Sequence, residues 1–160
     1  MFIKTKRIAR AALLGAAVVL AAQPALAQTK AVYAKSASDF YNASTAFSAA
    51  LASLQKRTAT ASPHDKEMLT LINSQFSYVD ATADGVLALG YVASEMSAPG
   101  DLAAAKKHLT KRCEALKRVS DSSGQYVTSL IAQLAAPAII ADANKAKDAN
   151  AALGQAALCK

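Results

Sequence analysis

The stretch from Cys113 to Cys159 holds both cysteines of the chain, and Pro137 stands at its centre beside Ala136. Proline cannot sit inside a helix without losing a hydrogen bond and colliding with the preceding turn. A turn at this point makes two antiparallel helices of nearly equal length, with a cysteine at the far end of each. The thiols then arrive at one level. The spacing predicts a helical hairpin closed by a disulfide between Cys113 and Cys159, and this hairpin sets the register of the remaining chain.

A disulfide needs an oxidising compartment, and the N-terminus reads as the route to one. Lys4, Lys6, Arg7 and Arg10 form a basic n-region. Residues 11–22 form an apolar h-region too short for a comfortable membrane span, and Ala25-Leu26-Ala27 is an A-x-A cleavage site. Residues 1–27 are thus expected to be a cleaved signal peptide, and residues 28–160 a single domain in the periplasm or secreted. The residue directly after the cleavage site is Gln28 and not a cysteine, so no lipid anchor is expected. No second long apolar run predicts a membrane span in the mature chain.

Cleavage also alters the charge. It removes four of the 18 basic residues and none of the 11 acidic ones, so the net charge falls from +7 to 14 − 11 = +3. The precursor's basicity therefore overstates its attraction to polyanions. Export, with no Gly-rich phosphate loop in the sequence, argues against nucleic acid as a partner.

Period-2 alternation is absent and seven-residue spacing of apolar residues is nearly continuous, which predicts an all-α chain. The first helix is expected over 31–58, with Tyr33, Phe40, Phe47 and Leu54 on one seam and Ala37, Ser44 and Leu51 on a second. Ser62, Pro63 and Asp65 have the residue types of an N-cap, a first helical position and an acidic first turn. They open a second helix over 63–97. Its seams are Leu69, Phe76, Ala83, Gly90 and Ile72, Val79, Val86, Ala93.

The segment 97–101, Ser-Ala-Pro-Gly-Asp, breaks the pattern. A third helix over 101–135 follows, with seams Leu102, Leu109, Leu116, Ser123, Leu130 and Cys113, Ser120, Val127, Leu134. The heptad keeps phase through the polar patch 120–124, which reads as a weak spot in one long helix. The last helix, over 138–158, is Ala-rich and carries the thinnest apolar face: Ile139, Ala143, Ala146, Asn150, Leu153 and Ala157. Four helices with short connections predict an up-down-up-down four-helix bundle. Phe47 should lie opposite Phe76, with Ser123 and Asn150 completing the layer.

Catalytic chemistry finds little footing. Ser62, His64 and Asp65 are the residue types of a hydrolase triad, but adjacent positions at a helix start cannot adopt its separated geometry. Haem-binding bundles of the cytochrome b562 and c′ types share the architecture. Here there is no C-x-x-C-H, and no histidine stands on a seam level with Met68. Neither H-x-x-x-H nor clustered Cys and His suggests a metal site. No cofactor and no enzymatic activity are expected.

What remains is binding. The third helix carries Lys106, Lys107, Lys111, Arg112, Lys117 and Arg118, with Glu114 the only acid among them. Lys107, Lys111 and Arg118 lie opposite the Leu102/Leu109/Leu116 seam. The acids of the second helix offer partners for that charge. Tyr78 and Tyr91 flank the seams of the second helix, as interface tyrosines do. Lys107, Lys111, Arg118, Tyr78 and Tyr91 are therefore the candidate interaction surface, for another envelope protein, a second copy of the chain, or an anionic surface. The alternative is a carrier with an apolar pocket between helices, entered near Gly85 and Gly90 and at 120–124.

Overall fold

The computed structural model describes residues 5–159, with side chains from Thr29 onward except Ala157. The expected signal segment lies outside the residues whose side chains are described. Four helices form the chain: α1 (Thr5–Arg57), α2 (Pro63–Glu95), α3 (Pro99–Ile131) and α4 (Pro137–Gly154). A short 3-10 turn, Ala157–Cys159, follows α4.

Three of these helices begin on a proline at the first helical position, where its missing N–H costs nothing and its fixed φ suits the helix. Of these three, only α2 has a side-chain cap: Ser62 accepts from the Asp65 N–H at 3.2 Å. The proline rule places the start of α3 at Pro99 and of α4 at Pro137, not at 101 and 138. The first helix extends upstream of 31 through a segment rich in Ala and Leu, strong helix formers. Glu95 ends α2 two residues before 97. The polar patch 120–124 does not interrupt α3, because its seam positions Ser120 and Ser123 turn inward and are buried.

Successive helices run antiparallel. Asn73 of α2 donates to Thr58 of α1 near one end, while Lys30 reaches the Glu95 carbonyl at the other. Asp65 meets the chain at Ala135, and Ser123 bonds Gln75. Ser120 pairs with Asn150, and Cys113 with Cys159. The helices pack in sequence order, α4 closing back on α1, as an up-down-up-down bundle requires.

The inner seams form one core. Phe40, Phe47, Leu54, Leu69, Ile72, Phe76, Val79, Val86, Leu116, Val127 and Leu153 are fully buried. Burying each large apolar side chain contributes roughly 1.5–3 kcal/mol. Phe47 meets Phe76 edge to face, with centroids 5.5 Å apart. Small and polar residues of α3 and α4 balance that bulk, as a layer of constant volume demands. Asn150 belongs to this layer but pairs with Ser120, one turn from Ser123. Its amide donates to the Ser120 carbonyl at 3.0 Å, and the Ser120 hydroxyl donates to the Asn150 carbonyl at 3.0 Å.

The last turns depart from a uniform bundle. The α3 helix stops at Ile131, short of 135, because α2 captures the following turn. The Asp65 carboxylate, 2% exposed, accepts the Ala135 N–H at 2.8 Å, and His64 Nε2 donates to the Gln133 carbonyl at 2.8 Å. The α4 helix stops at Gly154, short of 158. The chain then folds inward, seating Leu158 over Gly90 and Ala37, and Cys159 joins Cys113 with the Cα atoms 5.2 Å apart.

Candidate functional site

The inward seam of α3 fixes where its charges go. With Leu109, Cys113, Leu116 and Ser120 buried, helical geometry turns Lys107, Lys111 and Arg118 outward, and all three are exposed. The acids of α2 do not neutralise them. Among the described residues the ion pairs are Lys35–Asp39, Arg57–Asp142 and Lys117–Asp121, and none links α2 to α3.

The cause lies in where those acids point. Asp65 is buried beneath the α3–α4 turn. Asp80 accepts from the Ser48 hydroxyl of α1 at 2.7 Å, and Asp84 follows one turn later on that same side. Asp80 and Asp84 therefore lean toward α1, Glu67 and Glu95 lie on the outer face of α2 at the two ends of the Ser74/Ala81/Ala88 row, and the cations of α3 remain solvated. The acids on the Lys107/Lys111/Arg118 face are Glu114 and Asp121, and Asp121 is taken by Lys117 at 2.9 Å.

Beside this basic edge α2 shows a second heptad stripe, on its outer face. Leu71, Tyr78, Gly85 and Val92 recur every seven residues, with Ser74, Ala81 and Ala88 between them. No charged residue interrupts this face between Leu71 and Val92. Leu71, Tyr78 and Val92 are 38%, 63% and 43% exposed, high values for large apolar side chains. A groove of about 530 Å³ runs along the α3 edge of the stripe, lined by Gly85, Leu89, His108, Lys111, Arg112 and Ala115. A Cβ on Gly85 would meet no atom within 4 Å.

Antiparallel register gives the groove two unlike ends. Val92 and Leu89 lie near His108, Lys111 and Arg112, so that end is cationic. Leu71 and Tyr78 lie toward the level of Tyr126, itself exposed, so the other end is aromatic and apolar. Of the candidate residues the groove takes in Lys111; Tyr78 stands on the stripe one heptad before Gly85, and Lys107 and Arg118 are exposed on α3 outside the lining. The structure separates Tyr91 from them. Tyr91 stands three turns beyond Asp80 on the α1-facing side of α2, pointing away from α3. Sequence reasoning left His108 and Arg112 out of the candidate surface and missed the outer stripe, whose seven-residue repeat was readable once the inner seam was assigned.

The other candidate residues have structural roles. Ser62 caps α2, His64 and Asp65 hold the α3–α4 turn, and no two of the three side chains bond one another. Of the expected entrances to a mid-bundle pocket, Gly85 opens onto the surface groove, and those at Gly90 and 120–124 are filled. Leu158 occupies the space at Gly90, and Asn150 closes the layer at Ser120 and Gly124. A cleft of about 340 Å³ lies instead at the disulfide end, lined in part by Val32, Tyr33, Leu109 and Leu158. Among the described residues there is no cluster of His, Cys, Asp and Glu able to hold a metal ion, and no helix long and apolar enough to cross a membrane. Compared with known proteins, the chain matches no family model, no curated protein and no solved structure.

Proposed function

We propose that the protein works by binding another protein of the cell envelope, through the outer face of α2 and α3, after export and removal of residues 1–27. One observation carries this reading: a charge-free apolar stripe lies beside exposed cations that no neighbouring acid neutralises. Water-exposed Leu71, Tyr78 and Val92 gain by being covered, and Lys107, Lys111, Arg112 and Arg118 gain from an anionic neighbour.

The test is a pulldown from envelope extract with wild type and with Lys107→Glu/Lys111→Glu/Arg118→Glu. None of the three residues belongs to the core, so the variant keeps its helical circular dichroism. The wild type retains a discrete partner and the variant loses it, more markedly at low salt, where attraction is least screened. Equal retention by both proteins sinks the reading.

A further inference from the structure

We infer that the occupant of the α2–α3 groove is an acidic amphipathic helix of the partner protein, about 20 residues long and laid along α2. This assignment rests on the binding face proposed above and adds the chemistry of its ligand. The stripe from Leu71 to Val92 lies on one straight helix at heptad spacing, which is the pattern a second helix repeats when it packs alongside. Twenty residues of helix span roughly 30 Å, matching the length of the stripe. Its centre is small, with Ala81, Gly85 and Ala88, and the open space over Gly85 lets another backbone come close.

Charge selects among helices. His108, Lys111 and Arg112 line the groove at the Val92 end, and Lys107 and Arg118 stand behind them. A docked helix places carboxylates there and leaves its other end to the apolar contacts of Leu71, Tyr78 and Tyr126. Its acids therefore cluster toward one end and along the α3 edge.

The same distribution disfavours the other coverings. An anionic bilayer calls for cations along both borders of an apolar face, and here the α1 border carries Asp84 while Glu67 and Glu95 close the two ends of the Ala81/Ala88 row. A second copy of this chain presents the same basic edge, not its complement.

The test uses a fluorescein-labelled 21-residue helical peptide with Leu and Ala at heptad spacing and Glu along one flank. A twin carries Lys in place of Glu. Anisotropy titrations against the exported protein should show the Glu peptide binding at least tenfold more tightly than the Lys peptide. Gly85→Leu, whose Cβ would meet no atom within 4 Å, puts bulk into the groove and should weaken the Glu peptide at least tenfold, as should Lys111→Glu/Arg112→Glu. Equal affinity for the two peptides, or indifference to Gly85→Leu, overturns the assignment. So does tight binding to phosphatidylglycerol vesicles that the Glu peptide fails to compete, or self-association of the protein abolished by Gly85→Leu. If the charge-reversed pulldown loses its partner while the Glu peptide never binds, the helix assignment falls and the binding face stands. If neither experiment responds, both fall.

Discussion

Two glycines of α2, five residues apart, should respond oppositely to the same substitution. Within a helix, Gly→Ala removes backbone freedom from the unfolded chain and favours folding by about 0.8–1.0 kcal/mol. At Gly85 the new methyl meets nothing within 4 Å, so the full gain is expected. For a domain of this size that raises the melting temperature by about 4 °C. At Gly90 the methyl would stand 2.6 Å from one δ-carbon of Leu158, 3.1 Å from the other, and 3.4 Å from the Ala37 Cβ. Leu158 is 6% exposed and tethered through Cys159, so it must leave its rotamer or lose burial. An off-rotamer side chain alone costs about 0.5–1.5 kcal/mol, enough to cancel the helical gain. Gly90→Ala should therefore be neutral or destabilising. In a Leu158→Ala background the obstruction is gone, and Gly90→Ala should again stabilise by about 1 kcal/mol. Urea denaturation followed by circular dichroism measures all four proteins. If Gly90→Ala stabilises as much as Gly85→Ala, with no coupling to Leu158, then Leu158 does not sit in this notch.

Three further expectations concern the ends of the bundle. Asp65→Ala should cost about 2 kcal/mol, because it removes a cap-turn acid and orphans the Ala135 N–H, and it should speed amide exchange over 132–136; an unchanged midpoint would remove Asp65 from the account of where α3 stops. Cys159→Ser opens a loop with a sequence separation of 46, a loss of up to about 4 kcal/mol in the chain-entropy model. Exchange should rise first in α4 and the last turn, and uniform loss of protection would contradict the local tether. Intact mass of the exported protein should begin at Gln28, and retention of residues 1–27 would overturn the assignment to the periplasm or the medium.

The seams were legible because apolar spacing alone dictates them. From Phe40 to Leu153 nearly every position assigned to an inner stripe is buried, and where Ser123 and Asn150 replaced apolar residues, the facing Phe47–Phe76 pair explained why. The disulfide followed from the same register. The helix ends were not legible, since tertiary contacts fix them. Nothing local in Ile131–Ala136 reveals that Asp65 and His64, distant in sequence, take its N–H and its carbonyl. The inward fold of Leu158 likewise depends on a glycine in another helix. The candidate surface was half legible. Wheel positions placed Lys107, Lys111 and Arg118 outward correctly, but tyrosines flanking the seams on opposite sides of α2 were grouped together, and only the neighbours of each side separate Tyr78 from Tyr91.

The claim that the outer α2–α3 face is the working surface can be tested in place. A photoreactive amino acid is introduced at Ala88, on the outer stripe, and separately at Ala52, exposed on α1. Irradiation of intact cells should yield one discrete cross-linked adduct from the Ala88 protein and none from the Ala52 protein. Adducts from Ala52 alone, or the same adducts from both positions, would contradict the account.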